Sequence, residues 1–187
     1  MVHLGTKTLD TKNLILRPFR VEDGPAMYRN WANDPEVTKY LTWPTHSSPQ
    51  SSTELLRQWT AEYQTPNYYT WAIVLKNGKD EPIGSISVVN QINPVLKVAE
   101  IGYCIGKQWW HQGITTEALQ AVIDYLLGQV QVNKVAARHD TNNPHSGAVM
   151  RKCHMRYEGT LRQSAHNNQG IVDMTCYGIL REEWERL

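Results

Sequence analysis

The stretch that decides the architecture is AEIGYCIGKQWWHQGITTEAL, Ala99 to Leu119. A β-rich run, KVAEIGYCIG, passes through two tryptophans and Gly113 into a segment of helical period. In GITTEALQAVIDYLLG, Ala118, Leu119, Val122, Ile123 and Leu126 fall on one stripe, with Gly128 as the expected stop. A helix that starts directly after WHQG offers backbone N–H groups with no intrahelical partner and the positive end of its dipole. Glycine there lets a ligand come close to the backbone, which is the chemistry of an anion site. Gly113 alone would equally serve as a flexible start to the helix. Neither GxxxxGK[ST] nor GxGxxG occurs, so nucleoside triphosphatase and dinucleotide chemistry lack their usual phosphate motif.

Outward from this turn the chain alternates in period. NLILRPF (Asn13–Phe19) predicts a first strand ended by proline. Asp23 can cap a helix whose second residue is Pro25 and which ends near Asn33. DPEVTKYLTWPTH predicts a short helix and then an aromatic loop closed by Pro44 and Pro49. A longer helix is expected from Ser51 or Ser52 to about Tyr63, with Glu54 in a capping box. YYTWAIVLKNGKDEPIGSISVVNQI reads as a hairpin around NGKDEP. After the central helix come a strand in NKVAARHD, a short helix in NNPHSGAVMRKCH and an alternating strand in GIVDMTCYGIL. This order predicts an α+β fold, a mixed sheet with helices on its faces, as one domain over residues 1–187.

The bulk numbers narrow the function. Lys+Arg 19 against Asp+Glu 18 argues against a nucleic-acid partner. No apolar run is long enough to span a membrane, and MVHLGTKTLDTK lacks a signal-peptide core, so the expected setting is cytoplasmic, with no membrane partner. Cys104, Cys153 and Cys176 are odd in number and far apart, which predicts reduced thiols. His139, His145 and His154 lack metal-ligand spacing, so no metal is expected. Trp 7 and Tyr 9 against Phe 1 suit clefts, although core packing accounts for most aromatics.

The ordered set AEIGYCIGKQWWHQGITTEAL, NNPHSGAVMRKCHMRYEGTLR and DMTCYGILREEW resembles the GNAT acyl-CoA-dependent N-acetyltransferases, in the branch of ribosomal-protein alanine and serine N-acetyltransferases. The opening LILRPFRVEDGPAMYRNWANDPEVTKYLTWP looks like that branch too, so the resemblance covers nearly the whole chain. It implies a GNAT fold, a mostly antiparallel twisted sheet with helices on both faces, and acetyl-CoA as acyl donor. In the family the turn follows Gln/Arg-x-x-Gly-x-Gly/Ala and its amides cradle the pyrophosphate of coenzyme A. Trp110, Gly113 and Thr115 stand at the three marked positions. Trp110 is common in this branch, Thr115 replaces a small residue, and His111 stands where the branch commonly has glycine. A positive φ at His111 would cost energy that glycine would not.

The resemblance also implies roles. His111, Gln112, Gly113, Ile114, Thr115 and Thr116 would hold the pyrophosphate, and Asn143 the cofactor arm. The backbone at Tyr103, Cys104 and Ile105 would meet the pantetheine and thioester, with Cys104 a buried strand residue rather than a nucleophile. Glu100 matches a carboxylate that takes the amine proton, often through water; an exposed salt bridge is its plainer reading. Ser146 matches a serine that protonates or positions the leaving thiolate, with helix capping as the alternative for it and for Asn142 and Asn143. Tyr40, Trp43 and His46, with Tyr68, Tyr69 and Trp71, are candidates to wall the acceptor slot; Trp43 and Tyr40 lead, and Trp71 suits the core equally well.

The expected activity is transfer of acetyl to a primary amine, with a protein N-terminus as the leading acceptor, by direct transfer in a ternary complex. A small amine (a polyamine, an amino acid or an amine-bearing antibiotic) is the same-class rival. A non-catalytic acyl-CoA-binding module is the other. A homodimer is compatible with the alternating last strand, GIVDMTCYGIL.

Overall fold

A computed structural model describes all of residues 1–187. Eight strands form one sheet: β1 (Leu9–Asp10), β2 (Leu14–Arg17), β3 (Thr70–Leu75), β4 (Pro82–Val88), β5 (Val98–Ile105), β6 (Lys134–Asp140), β7 (Arg156–Asn167) and β8 (Gly170–Leu180). Their spatial order is β1-β2-β3-β4-β5-β6-β8-β7, and β5–β6 is the single parallel pair. The alternating strand β8 therefore lies between β6 and β7, not at an edge, and β7 carries the free edge. The two-residue strand β1 escapes a sequence reading because it is too short to show a period.

Helices cover both faces. On one lie α4 (Ile114–Asp124) and α5 (Pro144–Lys152), packed on Leu14, Leu16, Trp71, Ile73, Ile86, Ile101 and Val135. The predicted stripe of α4 is buried throughout, because sheet and helix each remove the other's apolar surface from water. On the other lie α1 (Gly24–Met27), α2 (Pro35–Thr38) and α3 (Pro49–Glu62), over Ala72 and Val74. The chain closes on a single turn, α6 (Arg181–Trp184).

Three helix boundaries differ from expectation. The first helix begins as a 3-10 turn over Val21–Asp23 and ends as a π segment over Tyr28–Ala32. Helix α3 starts two residues early: Ser48 caps it through Ser51 N at 3.3 Å with Pro49 first, and Glu54 pairs with Arg57 instead of closing a box. The helix after Gly113 does not stop at Gly128. It runs on as a π segment through Val130 and ends at Gln131, φ 63°. Gly128 serves packing, since a Cβ there would stand 3.1 Å from the Trp184 ring.

Candidate active site

Strands β5 and β6 run side by side only from Val98↔Lys134 to Ile101↔Ala137, and then part. β5 stays paired with β4 as far as Ile105↔Gly84, while β6 stays paired with β8 as far as Asp140↔Met174. Beyond Ile101 the two inner strands thus follow different neighbours, and a gap opens between them. Gly106 N donates to Ile83 O and Val89 N to Glu100 O, which sets the phase of the β4–β5 ladder. In that phase Gly102 and Cys104 turn their N–H groups to β4, and Tyr103 and Ile105 turn theirs into the gap. The amide of Cys104 is therefore removed from the expected donor set. Its thiol, 3.3 Å from Ser85 Oγ, is pushed up in pKa by burial and stays protonated, as a packing cysteine does.

The tryptophans pin the turn that follows. Trp110 Nε1 donates to Ile105 O at 2.9 Å, and Trp109 packs so close to Gly106 that a Cβ there would meet its ring at 2.6 Å. His111 has φ 60° and Gly113 φ 79°, so both adopt left-handed backbone. Gly113 is the N-cap of α4 and makes no side-chain cap. The N–H groups of Ile114, Thr115 and Thr116 are left without helical partners, and a Cβ on Gly113 would meet nothing within 4 Å. Open space over three free amides fits a phosphate group. Of the other turn residues, Ile114 sends its side chain into the core and Gln112 bonds back to Gln108 O at 2.8 Å.

Helix α5 begins across the gap. The side chain of Asn143, at its N-cap, makes no cap bond, and the His145 ring meets that of His111 edge-on at 4.8 Å. Ser146 does not cap either: its hydroxyl donates to Tyr103 Oη at 3.0 Å, and Tyr103 Oη donates to Ser146 O at 2.9 Å. From sequence Tyr103 has a main-chain role only. Gly147 sits on buried His139, where a Cβ would stand 2.5 Å from Nε2. His139 Nδ1 lies 2.7 Å from Asp140 O; a carbonyl only accepts, so Nδ1 carries the proton.

Glu100 is on the opposite face. Strand alternation turns Ile101 and Tyr103 toward α4 and α5, and Glu100 and Cys104 toward the other face, where Cys104 packs with the α1–α3 cluster. Glu100 and Ser146 are accordingly brought to the two sides of one gap, not into contact. The Glu100 carboxylate forms an ion pair with Arg138, Nε to oxygen 2.7 Å, and Arg138 is the first β6 residue past the parting point. Arg138 was not a sequence candidate, because nothing in NKVAARHD shows which strand it faces.

Trp43 packs on the α1–α3 cluster and lies 5.0 Å, ring to ring, from His46. Tyr40 reaches over to donate to Asn142 O at 2.9 Å, bridging the loop after α2 to the start of α5. Lys107, just past β5, pairs with Glu36 of α2. The tip of the β7–β8 hairpin closes the same side: Asn168 Nδ2 donates to Thr38 O at 2.9 Å and to Trp43 O at 2.8 Å. Buried Asp140 anchors that tip by accepting from Asn167 Nδ2 and Asn142 N, each at 2.8 Å. The bonds of Tyr40 and Asn168 join residues more than a hundred positions apart and leave no local trace in the sequence. Tyr68, Tyr69 and Trp71 take no part in these contacts. Tyr69 and Trp71 are fully buried in the α4-side core, with Trp71 Nε1 on Lys7 O, and Tyr68 packs on Tyr63.

A mixed sheet that parts beside a helix N-terminus is the architecture of an acyltransferase of the kind the motifs resemble. Comparison with known proteins makes the assignment. An acetyltransferase (GNAT) domain family matches residues 13–156. The chain is 30% identical over 137 residues to the ribosomal-protein-serine acetyltransferase of Escherichia coli, covering 73% of this chain and 75% of that one. It is 29% identical over 181 residues to the uncharacterized N-acetyltransferase p20 of Bacillus licheniformis, covering 95% and 98%. RimL, a ribosomal L7/L12 alpha-N-protein acetyltransferase solved with coenzyme A, shares the fold at a TM-score of 0.82 and 23% identity, over 95% of this chain and 99% of that one. The chain belongs to the GNAT acetyltransferase family.

Proposed function

We propose that this chain works as a single catalytic domain, residues 1–187, that moves acetyl from acetyl-CoA to a primary amine, with a protein N-terminus as acceptor and the cytoplasm as its setting. One observation carries the reading: β5 leaves β6 at Ile101↔Ala137, with Glu100 on one face of the gap and Ser146 on the other. That separation suits a direct transfer, because the amine adds to one face of the planar thioester to give a tetrahedral adduct, and the adduct then expels the thiolate from a different vertex, so the group that takes the amine proton and the group that meets the sulfur act from different places.

The free amides of Ile114, Thr115 and Thr116, with Gly113 leaving room, would hold the pyrophosphate, and Asn143 would meet the arm. The Tyr103 and Ile105 amides would receive the acyl carbonyl, and two such donors stabilise developing negative charge. Glu100, held by Arg138, would take the amine proton, directly or through water. Ser146 would donate a hydrogen bond to the departing sulfur. A serine hydroxyl is far less acidic than a thiol, so it supports the thiolate rather than giving its proton away. The loop carrying Tyr40 and Trp43 and the Asn168 hairpin tip would wall the acceptor slot. No group of three or more metal-type ligands is assembled, and none of these steps uses one.

The test is a turnover screen with acetyl-CoA, read by thiol release, across N-terminal peptides, polyamines and free amino acids. Turnover with N-terminal peptides is the expected result. Turnover confined to a small amine would move the acceptor class, and binding of coenzyme A with no turnover of any amine would reduce the chain to a binding module.

A further inference from the structure

Tyr103 stands two residues past the point where β5 leaves β6, on the α5 face of the gap. Its hydroxyl and Ser146 form a closed pair. Tyr103 Oη donates to Ser146 O at 2.9 Å, and Ser146 Oγ donates to Tyr103 Oη at 3.0 Å. A phenol has one hydrogen, and in the resting pair the carbonyl takes it, so that toward the serine hydroxyl Tyr103 accepts. Burial raises the phenol pKa above its ordinary value, so this donor pattern persists at any pH where the enzyme would work. A serine in the first turn of a helix otherwise has nearby backbone groups to bond, which would draw it away from the gap. Tyr103 takes that choice from Ser146.

We propose that Tyr103 is a positioning residue: it holds the Ser146 side chain at the gap, and as the serine hydrogen turns from Tyr103 Oη to the departing sulfur, the phenol hydrogen turns from Ser146 O to Ser146 Oγ, so that the pair stays bonded while the serine donates. The inference rests on the sulfur-side role given to Ser146 above. It gives Tyr103 a function through its side chain, separate from the amide that its backbone offers. No covalent step involves the tyrosine.

Tyr103→Phe keeps the ring and removes the bond. With the best acceptor from the screen, kcat should fall about tenfold, the worth of one hydrogen bond, while KM for acetyl-CoA changes less than about threefold. Ser146→Ala should lower kcat at least as much, and Tyr103→Phe should cost nothing further in the Ser146→Ala background, since the tyrosine acts only through the serine. A second readout needs no acceptor. The thiol of bound coenzyme A, titrated by thiolate absorbance, should ionise at a pH about one unit higher in either single variant than in the parent, because a donor to the thiolate has been lost. Wild-type kcat in Tyr103→Phe, or a double variant whose loss is the product of the two single losses, overturns the inference and leaves the Ser146 role standing. Wild-type kcat and an unmoved thiol titration in Ser146→Ala remove the Ser146 role itself, and this inference with it.

Discussion

At the scale of single residues, Glu100 shows what local sequence carries and what it does not. Its place on a strand before the turn was legible in VAEIGY; its bond to Arg138 was not, since strand pairing alone brings β6 beside it. Glu100→Gln keeps the shape and removes the proposed base. Turnover of an N-terminal peptide should fall at least tenfold near neutral pH and recover as pH rises past roughly 8, where an α-amine loses its own proton. A pH–rate profile decides it, and unchanged activity at pH 7 would remove the proton role from Glu100. His111 shows the opposite case. The sequence departure from glycine raised the question of a positive φ, and the backbone there is indeed left-handed at 60°.

At the scale of elements, the turn into α4 was legible because its signals are contiguous: β run, glycine, helical stripe. Gly113 makes two separable demands, since its φ of 79° disfavours any side chain and the space above it is open. Gly113→Val should destabilise the free protein by about 1–2 kcal/mol through backbone strain. It should also abolish the rise in melting temperature on adding coenzyme A, because the new side chain occupies the phosphate's place. Thermal shift with and without coenzyme A separates the two, and an undiminished shift would place the cofactor elsewhere. Helix α5 was also predicted, but its seat was hidden. Gly147 lies on His139, so Gly147→Ala should destabilise by about 1–3 kcal/mol through overpacking. Removing the ring with His139→Ala should return part of that loss in the double variant. Denaturant unfolding measures both, and additive losses would mean that the ring is not the obstacle.

At the scale of the molecule, the proposed acceptor side would draw on three distant pieces: the loop after α2, the start of α5 and the β7–β8 tip. Asn168 joins the tip to the loop through Thr38 O and Trp43 O. Asn168→Ala should raise KM for a peptide acceptor several-fold by loosening a wall of the proposed slot, while leaving coenzyme A affinity unchanged, because its side chain bonds to Thr38 O and Trp43 O and not to the turn into α4. Steady-state kinetics with each substrate varied in turn makes the check; a change confined to acetyl-CoA would assign the hairpin to the cofactor side. The final strand belongs here too. GIVDMTCYGIL reads as a strand from its alternation, but alternation is equally satisfied at an edge or between two neighbours. The chain placed it between β6 and β7.

The sequence by itself determined most of the elements and the turn into α4, though not β1 or β7, because period, caps and glycine conformations act over a few residues and leave contiguous marks. The pairing that parts β5 from β6, the placing of Glu100 and Ser146 on opposite faces, and the Tyr103–Ser146 and Asp140–Asn167 bonds were decided only by the tertiary structure. Each depends on which distant segment becomes a neighbour once the apolar faces of sheet and helices have found one another. Short-range patterns carry no information about that choice.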